Sequence, residues 1–406
     1  MSETNTASAT LLTPDFIQNP YPLFAQLSEQ GPTRMAMYPG GPETWVVTRY
    51  EDVRQVLADP TVLKDPRNAP DILGGGGQGE DDLEAHPELA LVRHMLNSDQ
   101  AEHARLRKLV GKAFTARPVK GLGPAIEEIV ADVLDGLPTG EPVDLVERFA
   151  LPVTVRTICG MLGIPVADQA SFAHQFNTVT NISDPAEMSR AAGELVAYLT
   201  ALLDEKRRNP DEAMISELIA VSDGDDAFSQ AELVSMIFLL LGAGHESTNA
   251  LITNAVLALI DHPEEKARVA KDLDLVPALV EETLRYDAPF HLATFRYTTE
   301  PIEVGGVTIP ARESVLTAIG GANHDARHLG GSGAFDLDTA GPGRHLAFGH
   351  GVHHCLGAPL ARLEGAAALT ALLGRHPGFS LAVDRQELQY RPSLLVRGLV
   401  ALPVVL

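Results

Sequence analysis

Cysteine is scarce: the 406 residues include only Cys159 and Cys355, too few for a disulfide framework or a Cys-rich zinc module. Each thiol needs its own explanation, and a reducing cytoplasm is the default compartment. Positive charge is scarce as well. With 31 Lys+Arg against 54 Asp+Glu the formal charge is −23, which argues against nucleic acids and membrane surfaces as partners. Long apolar runs are missing too: residues 236–244 end at His245 and Glu246, far short of the roughly 20 residues that span a bilayer. Residues 1–14 lack a basic stretch ahead of an apolar one, so no signal peptide is expected. They read as a disordered lead into a single domain over residues 15–406.

What the chain does contain is the balance of a globular protein, 45% hydrophobic and 21% charged. Apolar residues recur at spacings of three and four over residues 124–134, 187–208, 275–286 and 358–373, which predicts helices. Strand signals are few. They fall at residues 44–48 and at 302–309, where Gly305 and Gly306 suit a two-residue hairpin turn. The fold class is therefore mainly α with small β-sheets. Residues 74–77 are a glycine run followed by acidic residues at 80–82, read as a mobile loop.

The longest helix is expected to start at Ser229, which forms a capping-box pattern with Glu232, and to run to Ile260 before Pro263 stops it. It is apolar around most of its circumference and so belongs in the middle of the molecule. Its centre is different. Gly242, Ala243 and Gly244 are small, and His245, Glu246, Ser247 and Thr248 bring polar groups into an apolar element.

Residues 348–357 read Phe-Gly-His-Gly-Val-His-His-Cys-Leu-Gly. Three glycines relax the backbone around Cys355, and the helical pattern beginning at Ala358 puts that cysteine just before a helix N-terminus, where a thiolate is stabilised. Such a thiolate suits a soft or borderline metal. Cys159, set among apolar residues, reads instead as a small buried hydrophobe.

The pattern Phe-Gly-x-Gly-x-His-x-Cys-x-Gly is complete here, and it resembles the haem-binding signature of the cytochrome P-450 family. Two further segments match in family order: Glu282-Thr-Leu-Arg285 resembles the Glu-x-x-Arg element, and residues 243–248 resemble the oxygen-activating segment of the long central helix. The resemblance covers nearly the whole chain and is nearest to bacterial members from secondary metabolism. It implies the cytochrome P-450 fold, with a long central helix over haem.

The resemblance also implies roles. Cys355 would be the axial ligand of a haem b iron, favouring O–O cleavage, with Phe348, Gly349 and Gly357 shaping its loop and Ala243 and Gly244 lying against the cofactor. His103, Arg107, Arg296 and His353 match the contacts to the haem propionates, whereas Arg105 and Lys108 read as surface charges. Glu282 and Arg285 would brace the haem-side core together with a downstream arginine or histidine. Residues 322–325 resemble the loop ahead of the haem segment, but the proline-rich stretch that follows in the family is replaced by Arg327-His-Leu-Gly-Gly331.

The family usually has a threonine after the acidic residue of the central helix, and this chain has Ser247, then Thr248. The Ser247 hydroxyl can order a water while Glu246 connects it to solvent protons. A hydroxyl bonded back to a helical carbonyl is the alternative, and Thr248 is the rival to Ser247.

The resemblance implies a monooxygenase that uses O2; no flavin or Fe–S motif occurs, so electrons are expected from separate proteins, which the resemblance makes a ferredoxin and its NAD(P)H-dependent reductase. A haem-binding sensor or carrier is the alternative, and Glu246 with Ser247 argues against it. A zinc hydrolase, suggested by His245-Glu246, fails because position 249 is Asn. The substrate-facing positions implied by resemblance are Ile237 and Leu240 on the central helix, Phe290, Leu292 and Ala293, and Leu394 and Leu395. Their apolar character and an aromatic content of 5% suggest a bulky hydrophobic small molecule, a macrolide or other polyketide, with terpenoids and steroids as alternatives.

Overall fold

The computed structural model describes residues 10–73, 87–116, 119–180, 184–221, 227–331, 333–341 and 343–406. The glycine run at 74–77 and the acidic residues after it lie outside the described residues. The chain divides into two compact units, each assembled from separate segments. One combines Met1–Gly75, Glu281–Cys355 and Leu388–Val400; the other combines Gly76–Val280, Leu356–Glu387 and Ala401–Leu406.

The second unit is helical. Its central helix spans Gln230–Asp261, 32 residues, or about 48 Å at 1.5 Å per residue. Its start is the capping box expected from sequence: the Glu232 N–H donates to Ser229 Oγ at 3.2 Å, and the Ser229 N–H donates to Glu232 at 2.7 Å. Arg105 closes the same corner, pairing with Glu232 and donating to the Ala227 carbonyl at 3.1 Å. The surface charge expected at Arg105 is thus an anchor between helix Gln100–Ala116 and the central helix. The helix is packed by Leu151–Leu162 and Ala358–Arg375 around a cluster that includes Leu106, Ile158, Leu195 and Ile237. Cys159 is buried in that cluster, and burial pushes its thiol pKa up to about 12, so it stays protonated as the sequence reading requires.

The first unit carries a five-stranded sheet ordered Thr33–Ala36, Glu43–Val47, Ser314–Thr317, Arg296–Thr298, Val62–Leu63. Only the pairing of Glu43–Val47 with Ser314–Thr317 is parallel. Successive strand residues point to opposite faces, and the two faces are filled separately. Val46 and Leu316 join a cluster with Phe16, Phe24 and Met35, while Val47 and Val315 join one with Val53, Val56 and Ile319. Four of the five strands escaped sequence reading because none exceeds four residues, too few to show alternation. The hairpin at Ile302–Val304 and Val307–Ile309 is as expected, with Gly305 and Gly306 at φ +56 and +81. Of the residues read as the lead, Leu11 is fully buried with its N–H donating to the Ala36 carbonyl at 2.8 Å, Thr13 caps the helix Pro14–Gln18, and residues 1–9 lie outside the described residues.

A buried ion pair organises the rest of this unit. Arg285 Nε and Nη2 donate to the two oxygens of Glu282 at 2.9 and 2.6 Å. The same guanidinium donates to the carbonyls of Asn323 at 3.3 Å and Ala334 at 2.7 Å, and Glu282 Oε1 also accepts the Asp336 N–H at 2.8 Å. Glu282 is fully buried and Arg285 nearly so. Removing one partner leaves the other charged and unpaired in the interior, which costs about 3–5 kcal/mol. Arg285→Met is therefore expected to lower unfolding free energy by about that amount, and the Glu282→Leu, Arg285→Met double variant by less than either single change. Urea unfolding of the three proteins checks this order.

Candidate functional site

Cys355 is built from the loop upward. Asn323, wholly buried, accepts the Leu346 N–H on Oδ1 at 2.7 Å and donates from Nδ2 to the Leu284 carbonyl at 3.2 Å. His345 Nδ1 accepts the Ala347 N–H at 3.2 Å, so its Nε2 carries the proton facing Glu281 at 3.3 Å. Beyond these anchors the chain turns through Gly349 and Gly351, at φ +72 and +73, a region side chains disfavour. At Gly351 a Cβ would also lie 2.7 Å from the Leu57 carbonyl oxygen. The Cys355 N–H then donates back to the Phe348 carbonyl at 2.8 Å, closing the loop and leaving the cysteine exposed.

Among the described residues Glu282 is met by Arg285 and the Asp336 N–H, and His345 pairs with the neighbouring Glu281. Asn323, Glu281 and His345 are the residues that sequence reasoning missed. An asparagine ending the otherwise apolar and glycine run Ile319–Asn323 is the signal that marks the first. The segment replacing the family's proline-rich stretch forms a short turn, Ala326–Leu329, capped by Asp325 and ended by Gly330 at φ +70.

Arg296 is buried in its strand, and His353, in the turn Gly351–His353, is partly exposed. Both belong to the same unit as Cys355. His103, buried, and Arg107, partly exposed, lie one turn apart on helix Gln100–Ala116 of the helical unit, and Gly357 is the N-cap residue of Ala358–Arg375 there.

Within the central helix the polar residues separate by face. Ala243 is exposed, Glu246 and Ser247 are partly exposed, and Thr248 is buried at 3% accessibility. Ser247 Oγ donates to the Ala243 carbonyl at 2.9 Å, the back-bonded state that sequence reading holds as the alternative. His245 turns inward, its Nδ1 donating to the Leu241 carbonyl at 2.7 Å with its ring edge against Phe176. The glycines have packing reasons: a Cβ on Gly242 would lie 2.2 Å from the Phe176 ring, and one on Gly244 would lie 2.6 Å from Ile158. Gly244, assigned to cofactor contact by resemblance, is thus accounted for by Ile158.

Of the seven positions assigned to a substrate wall, Ile237 and Leu292 have no accessible surface and belong to packed cores. Leu240 is nearly buried, while Phe290, Ala293, Leu394 and Leu395 keep accessible surface.

The donor set can be tested against the cofactor. Among the described residues no cluster of three or more His, Cys, Asp and Glu is placed to hold a metal ion. A single exposed thiol on a glycine-hinged loop fits an ion that brings its other ligands with it, as haem iron does.

Comparison with known proteins agrees. The pattern of the cytochrome P-450 family matches residues 11–397. The chain is 42% identical over 407 residues to the vitamin D(3) 25-hydroxylase of Pseudonocardia autotrophica, covering 100% of this chain and 98% of that protein. It is 37% identical over 398 residues to the 6-deoxyerythronolide B hydroxylase of Saccharopolyspora erythraea, covering 95% of each. Among solved structures, the tirandamycin C-bound P-450 monooxygenase TamI superposes with a TM-score of 0.88 at 38% identity, covering 98% of this chain and 100% of that one. These relatives are hydroxylases and monooxygenases, which removes the reading as a non-catalytic sensor or carrier. With its loop, its Glu282–Arg285 pair and its central helix in family order, the chain belongs to the cytochrome P-450 family of haem- and O2-using monooxygenases.

Proposed function

We propose that this protein is a cytoplasmic, ferredoxin-dependent monooxygenase that oxidises a C–H or C=C bond of a bulky apolar small molecule, a macrolide or other polyketide, with Cys355 as the axial ligand. The observation that carries the proposal is the exposed thiol of Cys355 on a loop hinged at Gly349 and Gly351 and anchored by Asn323. Haem, when bound, supplies the iron at which O2 is reduced and the substrate oxidised.

The residues have distinct tasks. Cys355 Sγ binds as thiolate, and Phe348 keeps its loop closed through the 2.8 Å bond from the Cys355 N–H. His103, Arg107, Arg296 and His353 would offer hydrogen-bond donors to the haem propionates. The 2.9 Å bond from Ser247 to the Ala243 carbonyl commits its proton, so Oγ presents lone pairs to its accessible side. There it accepts from a water and orients it, and Glu246, partly exposed one residue earlier, passes protons from solvent to that water. Thr248 is buried and takes no part. Phe290, Ala293, Leu394 and Leu395 form the apolar wall against the substrate. The relative named for 6-deoxyerythronolide B supports a polyketide, and the one named for vitamin D(3) supports a terpenoid or steroid-like molecule as the alternative. NAD(P)H electrons arrive through a ferredoxin and its reductase.

Two measurements test this reading. Cys355→Ala is expected to lose the CO-difference band of thiolate-ligated haem, while Cys159→Ala keeps it; the opposite result removes the axial assignment.

Ser247→Ala is expected to bind substrate normally yet divert NAD(P)H electrons into H2O2, lowering product per NAD(P)H severalfold. Thr248→Val, which keeps the buried shape, should leave coupling near that of the parent. Product and peroxide yields measured side by side decide, and uncoupling by the Thr248 change alone would transfer the role.

A further inference from the structure

Residues 289–293 and 394–397 come from distant parts of the sequence and meet within the unit that carries Cys355. Their backbones touch only briefly. The Arg397 N–H donates to the Pro289 carbonyl at 2.8 Å and the His291 N–H to the Leu395 carbonyl at 3.1 Å, with one antiparallel bridge between Phe290 and Val396. One end of this crossing is secured by Arg397, whose Nε donates to Asp287 at 2.5 Å and whose guanidinium lies over the Tyr390 ring. Leu394 and Leu395 sit beyond that anchor, just after a tight turn in which the Ser393 N–H donates to the Arg391 carbonyl at 2.7 Å.

His291 reaches this end, where the Val396 N–H also donates to Ser393 Oγ at 3.1 Å. Its Nε2 lies 2.7 Å from the Leu394 carbonyl oxygen, and because a carbonyl can only accept, Nε2 carries the proton. Nδ1 is then the unprotonated nitrogen, buried and without a hydrogen-bond partner among the described residues. Burial, reinforced by the positive charge of Arg397, pushes the imidazolium pKa down to about 4, so the ring is neutral and held in one tautomer at ordinary pH. Its position is fixed from other directions as well. The ring packs against Phe16 at 5.4 Å and Phe24 at 6.2 Å, and the Gly320 N–H donates to the His291 carbonyl at 3.0 Å. A buried polar ring with one committed donor is a costly way to fill a core, and a leucine of similar volume would fill it more cheaply.

We propose that His291 is a positioning residue for the substrate: its Nε2–H fixes the Leu394 carbonyl and so sets where Leu394 and Leu395 stand relative to Phe290. This rests on the reading that those three residues face the substrate. His291 itself, 2% exposed, touches no ligand. It acts by fixing the width of an apolar wall whose two sides come from segments about a hundred residues apart in the chain, and it thereby selects among bulky substrates without reading any polar group on them.

The test uses haem-loaded protein and three measurements, amide hydrogen exchange and the binding of two ligands of different size. His291→Leu keeps volume and loses the donor, His291→Asn places its amide too short, and His291→Gln returns an N–H to the Nε2 position. Amide hydrogen exchange in segments 289–292 and 394–397 should rise about tenfold in the Leu and Asn variants, the scale of one hydrogen bond, and return to the parent rate in the Gln variant. Binding of 1-dodecylimidazole, which fills an apolar pocket, should change about tenfold in the same two variants. Binding of imidazole, too small to reach the wall, should not. Unchanged exchange in His291→Leu overturns the proposal, as does faster exchange with an unchanged ratio of the two affinities when Phe290→Ala and Leu394→Ala do alter that ratio. If those two variants also leave it unchanged, the assignment of the wall is what fails. Should His291→Leu not load haem, the Gln and Asn pair gives the same comparison.

Discussion

The arginine at position 285 is the point on which the Cys355 unit depends. A guanidinium offers five N–H donors in a fixed plane, and here they are spent on segments that share no regular secondary structure: the Glu282 carboxylate and the carbonyls of Asn323, Gly333 and Ala334. The loop that carries Cys355 cannot hold itself. Its left-handed glycines break any ladder of backbone bonds, so its shape must be imposed from outside. Asn323 does this at Leu346, and the carbonyl of the same Asn323 is held by Arg285. The position of the thiol is thus tied to a buried charge pair through one asparagine.

A paired charge in the interior contributes little net stability, because desolvation offsets most of the attraction. What it contributes instead is a unique arrangement. Apolar contacts are non-directional and tolerate sliding, whereas a guanidinium that has lost its water must find all its acceptors at once. The helical unit shows the opposite choice. Its cluster around the central helix is apolar, and the helix already satisfies its own backbone, so side-chain packing suffices to place it. Polar anchoring appears there at the two ends of the helix, at Ser229, Glu232 and Arg105 where it begins and between Arg385 and Asp261 where it stops.

Sequence reading succeeded where periodicity or a tight local pattern carries the information. The central helix, its capping box, the Gly305-Gly306 hairpin and the glycine-rich loop all depend on residues within a few positions of one another. Four strands of two to four residues in the five-stranded sheet did not register, because their pairing partners lie far along the chain. The same limit explains the missed anchors. Asn323, Glu281 and His345 become legible only when three segments are brought together. At the central helix, resemblance put Gly244 against the cofactor, while the contact with Ile158 follows from packing that no single segment reveals. The choice between Ser247 and Thr248 was likewise a question of face, and burial of one beside exposure of the other answers which side each hydroxyl looks toward.

The back-bond from Ser247 to Ala243 changes what that hydroxyl can do. A free serine donates or accepts, but one whose proton is held 2.9 Å from a helical carbonyl accepts by default and must rotate before it donates. Rotation about χ1 breaks one modest hydrogen bond, worth about 1 kcal/mol net, and the residue is unbranched, so no second γ substituent has to be moved into the preceding turn. A threonine in its place would carry a methyl group that restricts those rotamers. Serine therefore makes the switch between accepting and donating easier at the cost of holding either state less firmly, and the neighbouring carboxylate of Glu246 must supply the directionality of proton flow that the hydroxyl alone does not impose.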